Sequence, residues 1–378
     1  MTERLRLLVH AIDYTPGSPA AGSRAGALVD WLARRGHWLS VVASSAREGR
    51  RRRWGGAKDG LRVFRFKPEN GEACRAPSPS FDAARVPTLL SEAASFRPDL
   101  IAALSPTAEA AWAVIGAAQA AGVPAWLHLE EQAQPLGLEA SFTCVSLASL
   151  HAEETLAERG VGGNEALALA PWVDTRSIVP PEAPGPLRAT FVNAEDDIVA
   201  LYVGSCTDER VAQILIDAAR NVPARGAIRF VAAVKGSAAR LLVAAAADLP
   251  QLRLLRLPQP HELGDLLGAA DIHLLPAGTD ADEPLLPSRL ASLLASGRPI
   301  VAAMPAAGLA RTLAGAVTTA APTGAAIAAS VVGLAARPDE RKARGIAARR
   351  AAEDYFSKER VLRRLERRLM GLAGRVAA

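Results

Sequence analysis

Hydrophobic positions along the chain fall in short, almost unbroken stretches separated by longer segments of helical spacing. RLRLLVHA (4–11) is the first stretch. A Pro-, Gly- and Ser-rich loop (15–23) follows, then AGALVDWLARRGH (25–37), whose apolar residues recur every three or four positions before a Gly stop. WLSVVAS (38–44), LRVFRF (61–66), DLIAALS (99–105), PAWLHLE (124–130), SFTCVSLA (141–148) and ALALAPW (166–172) read as further strands, with helices through 106–121 and 150–160. A Pro-rich stretch without periodicity, 180–194, reads as a linker. The alternation then restarts with DIVALYVGS (197–205), a helix at 210–222, IRFVAAV (228–234), a helix to 248 and LRLLRLP (252–258). HELGDLLGAA leads into DIHLLPAG (271–278), and LLPSRLASLLASG leads into PIVAAM (299–304). The last helix, 357–372, carries Val361, Leu362, Leu365, Leu369 and Leu372 on one face, so it packs against something.

Strands that are apolar on both faces and alternate with helices are parallel strands covered on both sides. The pattern therefore predicts an α/β protein of two doubly wound domains in tandem: 1–180, 195–356, and a final helix and tail over 357–378. Ligands of such sheets sit outside the carboxyl ends of the strands. With two sheets facing each other, the cleft between them is the default site.

Composition narrows the class. At 378 residues the chain is long enough for two ordinary domains, and its apolar and charged shares are those of a globular protein. No run of 18 apolar residues predicts a transmembrane helix, and MTERLRLLVHAIDY lacks the apolar core and cleavage pattern of a signal peptide. Cys74, Cys144 and Cys206 lie far apart, which argues against a disulfide framework or zinc site and for a reducing cytosol. Residues 357–378 hold seven Lys or Arg against two Glu, an excess equal to the whole chain's net charge of +5. A second basic cluster is Arg50–Arg53, followed by Trp54. Both read either as solvated surface or as attraction to an anionic membrane at the inner face. Nucleic acid is not expected, because the clusters lack interleaved stacking aromatics.

Chemistry is to be sought in the loops after strands. The loop that closes with Gly22, Ser23 and Arg24 ends at a helix start, where backbone N–H groups face an anion; the alternative is an ordinary βα loop. His128 ends a buried strand beside Glu130 and Glu131, and it either meets a substrate hydroxyl or bonds a backbone carbonyl. Arg210 in the first turn of a helix works against the helix dipole unless an anion sits nearby. Lys235 and Gly236 form a comparable strand end, and two cations at neighbouring strand ends suit a diphosphate. Glu283, Ser288 and Arg289 open the helix of LLPSRLASLLASG, with Ser288 as N-cap or Pro287 at N1. Arg298, after Gly297, reads as a surface residue. The glycine fingerprint of an NAD-dependent enzyme is absent.

LPSRLASLLASGRPIVA, preceded by LGAADIHLLP, together with APWVDT (170–175) and YFSKERVLRRLE (355–366), resembles the GT-B-fold glycosyltransferases of family 4. The likeness is greatest to the colanic-acid-type exopolysaccharide branch; ARRGHWLSVV and WLHLEEQ extend it into the first half. The resemblance implies two Rossmann-like domains across a cleft, with a last helix crossing back to the N-terminal domain. It implies retaining, metal-independent sugar transfer from a UDP- or GDP-linked donor to a glycan or lipid-linked acceptor, with no cofactor. The C-terminal domain would hold the nucleotide and the N-terminal domain the acceptor. Arg210, Lys235, Ser288 and Arg289 would face the nucleoside diphosphate, Glu283 the sugar hydroxyls, and His128 the donor sugar or reacting hydroxyl. No metal site is expected; DADE (280–283) is the one stretch with Asp-x-Asp spacing considered against this.

The chain departs from the family pattern in several places. Pro284 and Ser292 stand where the family has two Glu, with Glu283 one residue off. Glu209 aligns with the usual diphosphate Lys, and Pro171 stands for a common Asn. The departures raise an alternative: a catalytically silent GT-B paralogue that binds a nucleotide or a partner enzyme as an assembly subunit.

Overall fold

The computed structural model describes residues 4–14, 24–44, 60–66, 86–130, 134–149, 152–182, 185–224, 226–259, 261–276, 289–303 and 313–375. The chain forms two compact units, one of Met1–Ala170 with Val361–Ala378 and the other of Pro171–Arg360.

In the first unit the order is β1 (Arg6–Asp13), α1 (Arg24–Arg34), β2 (Trp38–Ser44), β3 (Leu61–Phe66), α2 (Val86–Phe96), β4 (Leu100–Leu104), α3 (Ala108–Ala121), β5 (Ala125–Leu129), β6 (Cys144–Leu147), α4 (Ala152–Glu158) and β7 (Ala166–Ala168). The strands make one sheet, β3-β2-β1-β4-β5-β6-β7, with every pairing parallel. All five residues of β4 and of β5 are buried, which is why these segments carry no polar alternation. Leu8, Ile101, Ala103, Leu127 and Val145 pack with Phe96, Val114 and Leu156 in one core on the α2–α4 side.

The second unit runs β8 (Ile198–Ser205), α5 (Glu209–Arg220), β9 (Ile228–Lys235), α6 (Ala239–Ala246), β10 (Leu252–Arg256), α7 (Leu263–Gly268), β11 (Ile272–Pro276), α8 (Leu290–Ala295), β12 (Ile300–Ala303), β13 (Val317–Thr319), α9 (Gly324–Ala335) and α10 (Pro338–Ala351). Its sheet, β10-β9-β8-β11-β12-β13, is again parallel throughout. Tyr202, Phe230, Leu274 and Val301 pack against Leu215 of α5 and Ile327 and Val331 of α9. Both orders reverse beside the first strand, at β1/β4 and β8/β11, as in doubly wound nucleotide-binding folds.

The chain then returns to the first unit through α11 (Lys358–Leu372). Val361, Leu362, Leu365, Leu369 and Met370 of this helix are buried, whereas Leu372 is only half-buried. At roughly 1.5–3 kcal/mol per buried aliphatic side chain, they dominate its attachment. Glu366 sits among them, 2.7 Å from Nε2 of His37 and 3.3 Å from Nε of Arg35. The Leu5 N–H donates to Nδ1 of His37 at 3.1 Å, so the ring proton lies on Nε2 and is donated to Glu366. Arg375 closes the end of the helix on Asp99 at 2.8 Å.

Two readings need correction. The described residues of the stretch 180–194 do not form a linker between the units but belong to the second unit. Arg188 is buried, donates to the carbonyls of Ala269 (2.8 Å) and Asp197, and pairs with Asp271 at 2.8 Å. Arg298 is half-buried rather than a surface residue, because the backbone of α7 takes its guanidinium: one Nη donates to Gly268 O at 3.1 Å. The outgoing and returning segments also meet. Val173 N–H donates to Phe356 O at 2.8 Å, and Lys358 N–H donates to Val173 O at 2.9 Å.

The amino end of the second sheet is clamped by a buried ion pair, Arg229 to Asp197 at 2.9 Å. Burial pushes the Asp197 carboxyl up, but N–H groups of Asn193 and Ala194 and the Arg229 guanidinium outweigh it, leaving the carboxyl below its ordinary value. Its stabilisation is therefore full above the unfolded-state value of about 3.9 and is lost as pH falls through the depressed folded value. Asp197→Ala should cost about 3–5 kcal/mol at neutral pH, since Arg229 is left buried and unpaired. Urea titration followed by circular dichroism should show this loss shrink at about pH 3; an equal loss at both pH values would show that the carboxylate charge is not its source.

Candidate functional site

Parallel strands deliver all their following loops to one end of the sheet, and in the second unit three such loops converge there. Ser205, the last residue of β8, lies in register with Lys235, the last of β9. The next residue, Cys206, donates its N–H to Lys235 O at 2.7 Å, and Ala238 N–H returns to Cys206 O at 3.0 Å. Gly236 permits this approach. Its φ is +117°, and a Cβ there would stand 2.6 Å from Cys206 O and 2.9 Å from Cys206 C.

Arg289, immediately before α8, reaches back over the end of β8. Its Nη1 donates to Val203 O at 3.1 Å, and its guanidinium carbon lies 5.0 Å from the centroid of the Tyr202 ring. Gly204 leaves room for this side chain, since a Cβ there would lie 2.4 Å from Arg289 Nη1. Arg289, Lys235 and Gly236 thus share one sheet end, with Lys235 exposed to solvent. The two weak acids there, the Tyr202 hydroxyl and the Cys206 thiol, stay protonated. Burial pushes up the Tyr202 hydroxyl, against the opposing charge of Arg289, and that hydroxyl donates to Ser205 O at 3.0 Å. Burial also raises the Cys206 thiol, with Asp208 adding to the effect. The arrangement is suited to holding anionic oxygens rather than to moving protons.

Arg210 occupies the second position of α5. The anion that this helix start calls for comes from the chain itself: Asp208 is the N-cap and accepts the Arg210 N–H at 2.8 Å. Glu209 beside it is paired with Arg240. Arg210 itself is exposed. Ser288 and Glu283, which precede Arg289 in the sequence, lie outside the described residues, as do Pro284 and the DADE stretch.

In the first unit, Gly22 and Ser23 also lie outside the described residues, and Arg24 opens α1. His128 is fully buried near the carboxyl end of β5, in register with Leu104 and Ser146. Its Nδ1 lies 2.9 Å from Ser146 Oγ, which also accepts the Trp126 Nε1–H at 2.9 Å. The two-residue period of the strand puts Trp126 and His128 on one face, with ring centroids 6.1 Å apart. A different histidine, His273 of β11, is a core residue: burial pushes it down to about 3, and its Nε2 lies 2.8 Å from Ser296 Oγ.

Tyr202, Gly204, Asp208, Arg240 and Ser146 were not singled out from the sequence. Gly204 and Asp208 had a local signal, a glycine ending an apolar run and an acidic cap before a helix. The other three act across strands or helices, through register that the sequence does not display.

Comparison with known proteins agrees with this architecture. The glycosyl transferase 4-like domain family matches residues 20–173, less than half of the chain. No curated protein matches. Among solved structures, a sucrose-phosphate synthase from Thermosynechococcus elongatus superposes with a TM-score of 0.71 at 17% identity, over 98% of this chain and 100% of that one. HepE from Anabaena, in complex with UDP and glucose, gives 0.71 at 16% identity, over 97% and 100%. A UDP-N-acetylglucosamine 2-epimerase gives 0.61 at 13% identity, over 99% and 98%. The chain thus has the GT-B fold: two Rossmann-like units and a C-terminal helix. Its first half is similar to glycosyl transferase 4-like domains. A fold shared by a synthase and an epimerase leaves the chemistry to be argued from the site.

Replacing Gly236 tests how closely the loops at this end are built. Gly236→Ala should destabilise the chain by about 1–3 kcal/mol, the cost of a strained backbone position, because the new methyl meets backbone atoms rather than a movable side chain. Thermal melting checks this, and a melting temperature equal to that of the wild type would show that the loops can part freely.

Proposed function

We propose that the protein transfers a sugar from a UDP- or GDP-linked donor to an acceptor hydroxyl, with retention and without a metal ion. The observation that carries this reading is Arg289 folded over Gly204 and Tyr202 beside Lys235 and Gly236. It forms a cationic, glycine-floored end of a doubly wound sheet, at the topological switch point where such folds hold nucleotides. In this reading Lys235, Arg289, Arg210 and the N–H groups at Gly236 and Ser288 receive the departing nucleoside diphosphate. Fixed donors aimed at the charge that develops there lower the barrier without reorganisation. Glu283 positions sugar hydroxyls. His128 contacts the donor sugar or the reacting hydroxyl as a ring held rigid by Ser146. In the same reading Gly22, Ser23 and Arg24 offer a second set of N–H groups to an anion. HepE, of the same fold, is seen with UDP and glucose, which supports a nucleotide-sugar donor.

A second reading is favoured by one contact. Glu209, in place of a diphosphate cation, is held by Arg240, and Ser292 and Pro284 stand at acidic positions of the resembled family. On that reading the chain binds nucleotide as a silent assembly subunit.

Calorimetric titration of UDP and GDP, set beside turnover of a nucleotide-sugar panel in EDTA, separates the two. The transferase reading expects binding and metal-free turnover; binding without turnover favours the silent subunit, and turnover restored only by manganese removes the metal-free mechanism. Arg289→Ala should weaken nucleotide binding by about 1.5–3 kcal/mol, the scale of a charge-assisted hydrogen bond. Unchanged affinity would take Arg289 out of the site.

We also propose that a lipid-linked acceptor brings the protein to an anionic membrane, and that surface polysaccharide or glycolipid is the product class. No helix among the described residues is long and apolar enough to cross a membrane. Arg363, Arg364 and Arg367 are exposed along α11, and the Arg50–Trp54 cluster lies outside the described residues. Each such cation contributes about 1 kcal/mol near an anionic surface before screening. Co-sedimentation with phosphatidylglycerol vesicles should therefore be strong at low salt and lost at high salt. Binding that survives Arg50–Arg53 changed to Ser would show that this loop plays no part.

A further inference from the structure

The second unit carries another concentration of positive charge, at the end of its sheet opposite Arg289 and Lys235. A cavity of about 600 Å³ opens there between Pro180–Pro181, the amino ends of β11 and β12, and one face of α10. Five cations line it against one carboxylate, Asp271. That carboxylate is already engaged, accepting from Arg188 at 2.8 Å and from the Val199 N–H at 2.8 Å. Both contacts fall on Oδ2, and the same carboxylate also acts on Arg298.

The five cations differ in what already holds them. Arg349 is ion-paired with Glu353 and donates to the carbonyls of Ile178, Ala295 and Thr175. Arg341 donates to the carbonyls of Leu334 and Ala335 at the end of α9. Three remain undercompensated. Lys342 and Arg350 are exposed and have no ion pair among the described residues. Arg298 is half-buried, and its Nε is buried without an acceptor among the described residues. Asp271 offsets part of the repulsion that Arg188 exerts on Arg298, but a buried guanidinium N–H with no acceptor is an unfavourable arrangement that an anion would relieve.

The spacing on α10 is what a bound ligand needs. Lys342, Ile346 and Arg350 follow each other at i, i+4 and i+8, on one face, so two cations flank an apolar residue. Ile346 and Arg350 also line an adjoining cavity of about 290 Å³ with Tyr355. Ile346 and Tyr355 are large apolar side chains left half in solvent, at 48% and 49% exposure. A charged pocket thus runs into an apolar shelf.

We propose that this cavity is a second anion site, taking a phosphate- or diphosphate-bearing molecule whose apolar part rests on Ile346 and Tyr355. Arg298, Lys342 and Arg350 hold the phosphate oxygens. The site belongs to the amino end of the sheet and is independent of the nucleotide reading at the carboxyl end.

The test uses the full chain, with inorganic pyrophosphate as the first probe and vesicles of phosphatidylcholine carrying phosphatidic acid as the second. Calorimetry should detect pyrophosphate binding that weakens at least tenfold in Lys342→Glu/Arg350→Glu and persists in Arg289→Ala. Both reversed residues are exposed; if the double variant melts early, Lys342→Gln/Arg350→Gln gives the same comparison without acidic side chains. A soluble ligand is indicated if pyrophosphate responds to the substitutions. A lipid headgroup is indicated if only phosphatidic acid vesicles do, with Arg253→Glu/Arg220→Glu as the control for a general loss of charge. Binding of both probes that is indifferent to Lys342 and Arg350, or binding of neither, overturns the proposal.

Discussion

This architecture rests on strands that, among the described residues, pair in parallel. A parallel neighbour cannot be reached by a tight turn, so the chain must cross over the sheet, usually through a helix, and re-enter at the same end. The two ends of each sheet therefore acquire different characters. In the second unit the carboxyl end gathers the loops that bear Lys235, Gly236 and Arg289. The amino end gathers the joints that set the strands' starting points, Asp197 with Arg229 and Asp271 with Arg188. One end is left open by glycines, the other closed by charge pairs, of which Asp197 with Arg229 is buried. The cavity lined by Arg298 is the exception at the closed end, and it is an exception in charge as well.

Legibility of the fold tracked the same constraint. A strand buried on both faces is an unbroken apolar run, so β4, β5, β8, β9, β11 and β12 could be read directly. Helices α2, α9 and α10 and strand β13 could not. Alanine saturates α9, so its buried Ile327, Ala328, Val331 and Leu334 do not stand out against its exposed positions. Charge covers most of α10, which buries only Gly345, Ala348 and Ala351 and looks like a solvated segment. β13 is three residues long.

The candidate site was legible where one residue's role depends on its own loop and illegible where it depends on a partner. Arg289 and Lys235 follow from their places after strands. That Arg289 lies on Tyr202, that Glu209 is neutralised by Arg240, and that His128 is tied to Ser146 depend on register and helix packing, which no local pattern encodes. Arg298 was misread for the same reason: its guanidinium is taken by the carbonyl of Gly268 at the end of α7, 30 residues away in sequence.

The attachment of α11 has a consequence for biosynthesis. Glu366 meets His37 across 329 residues of chain, and Arg375 meets Asp99 across 276. The second unit is continuous in sequence, whereas the first is assembled from both sides of it. At roughly 5–20 residues per second, a nascent chain carries the uncovered face of the first unit, with His37 awaiting its carboxylate, for some tens of seconds. The half that begins first is finished last, and the stretch over which it most needs protection from aggregation is set by the length of the unit inserted in its middle.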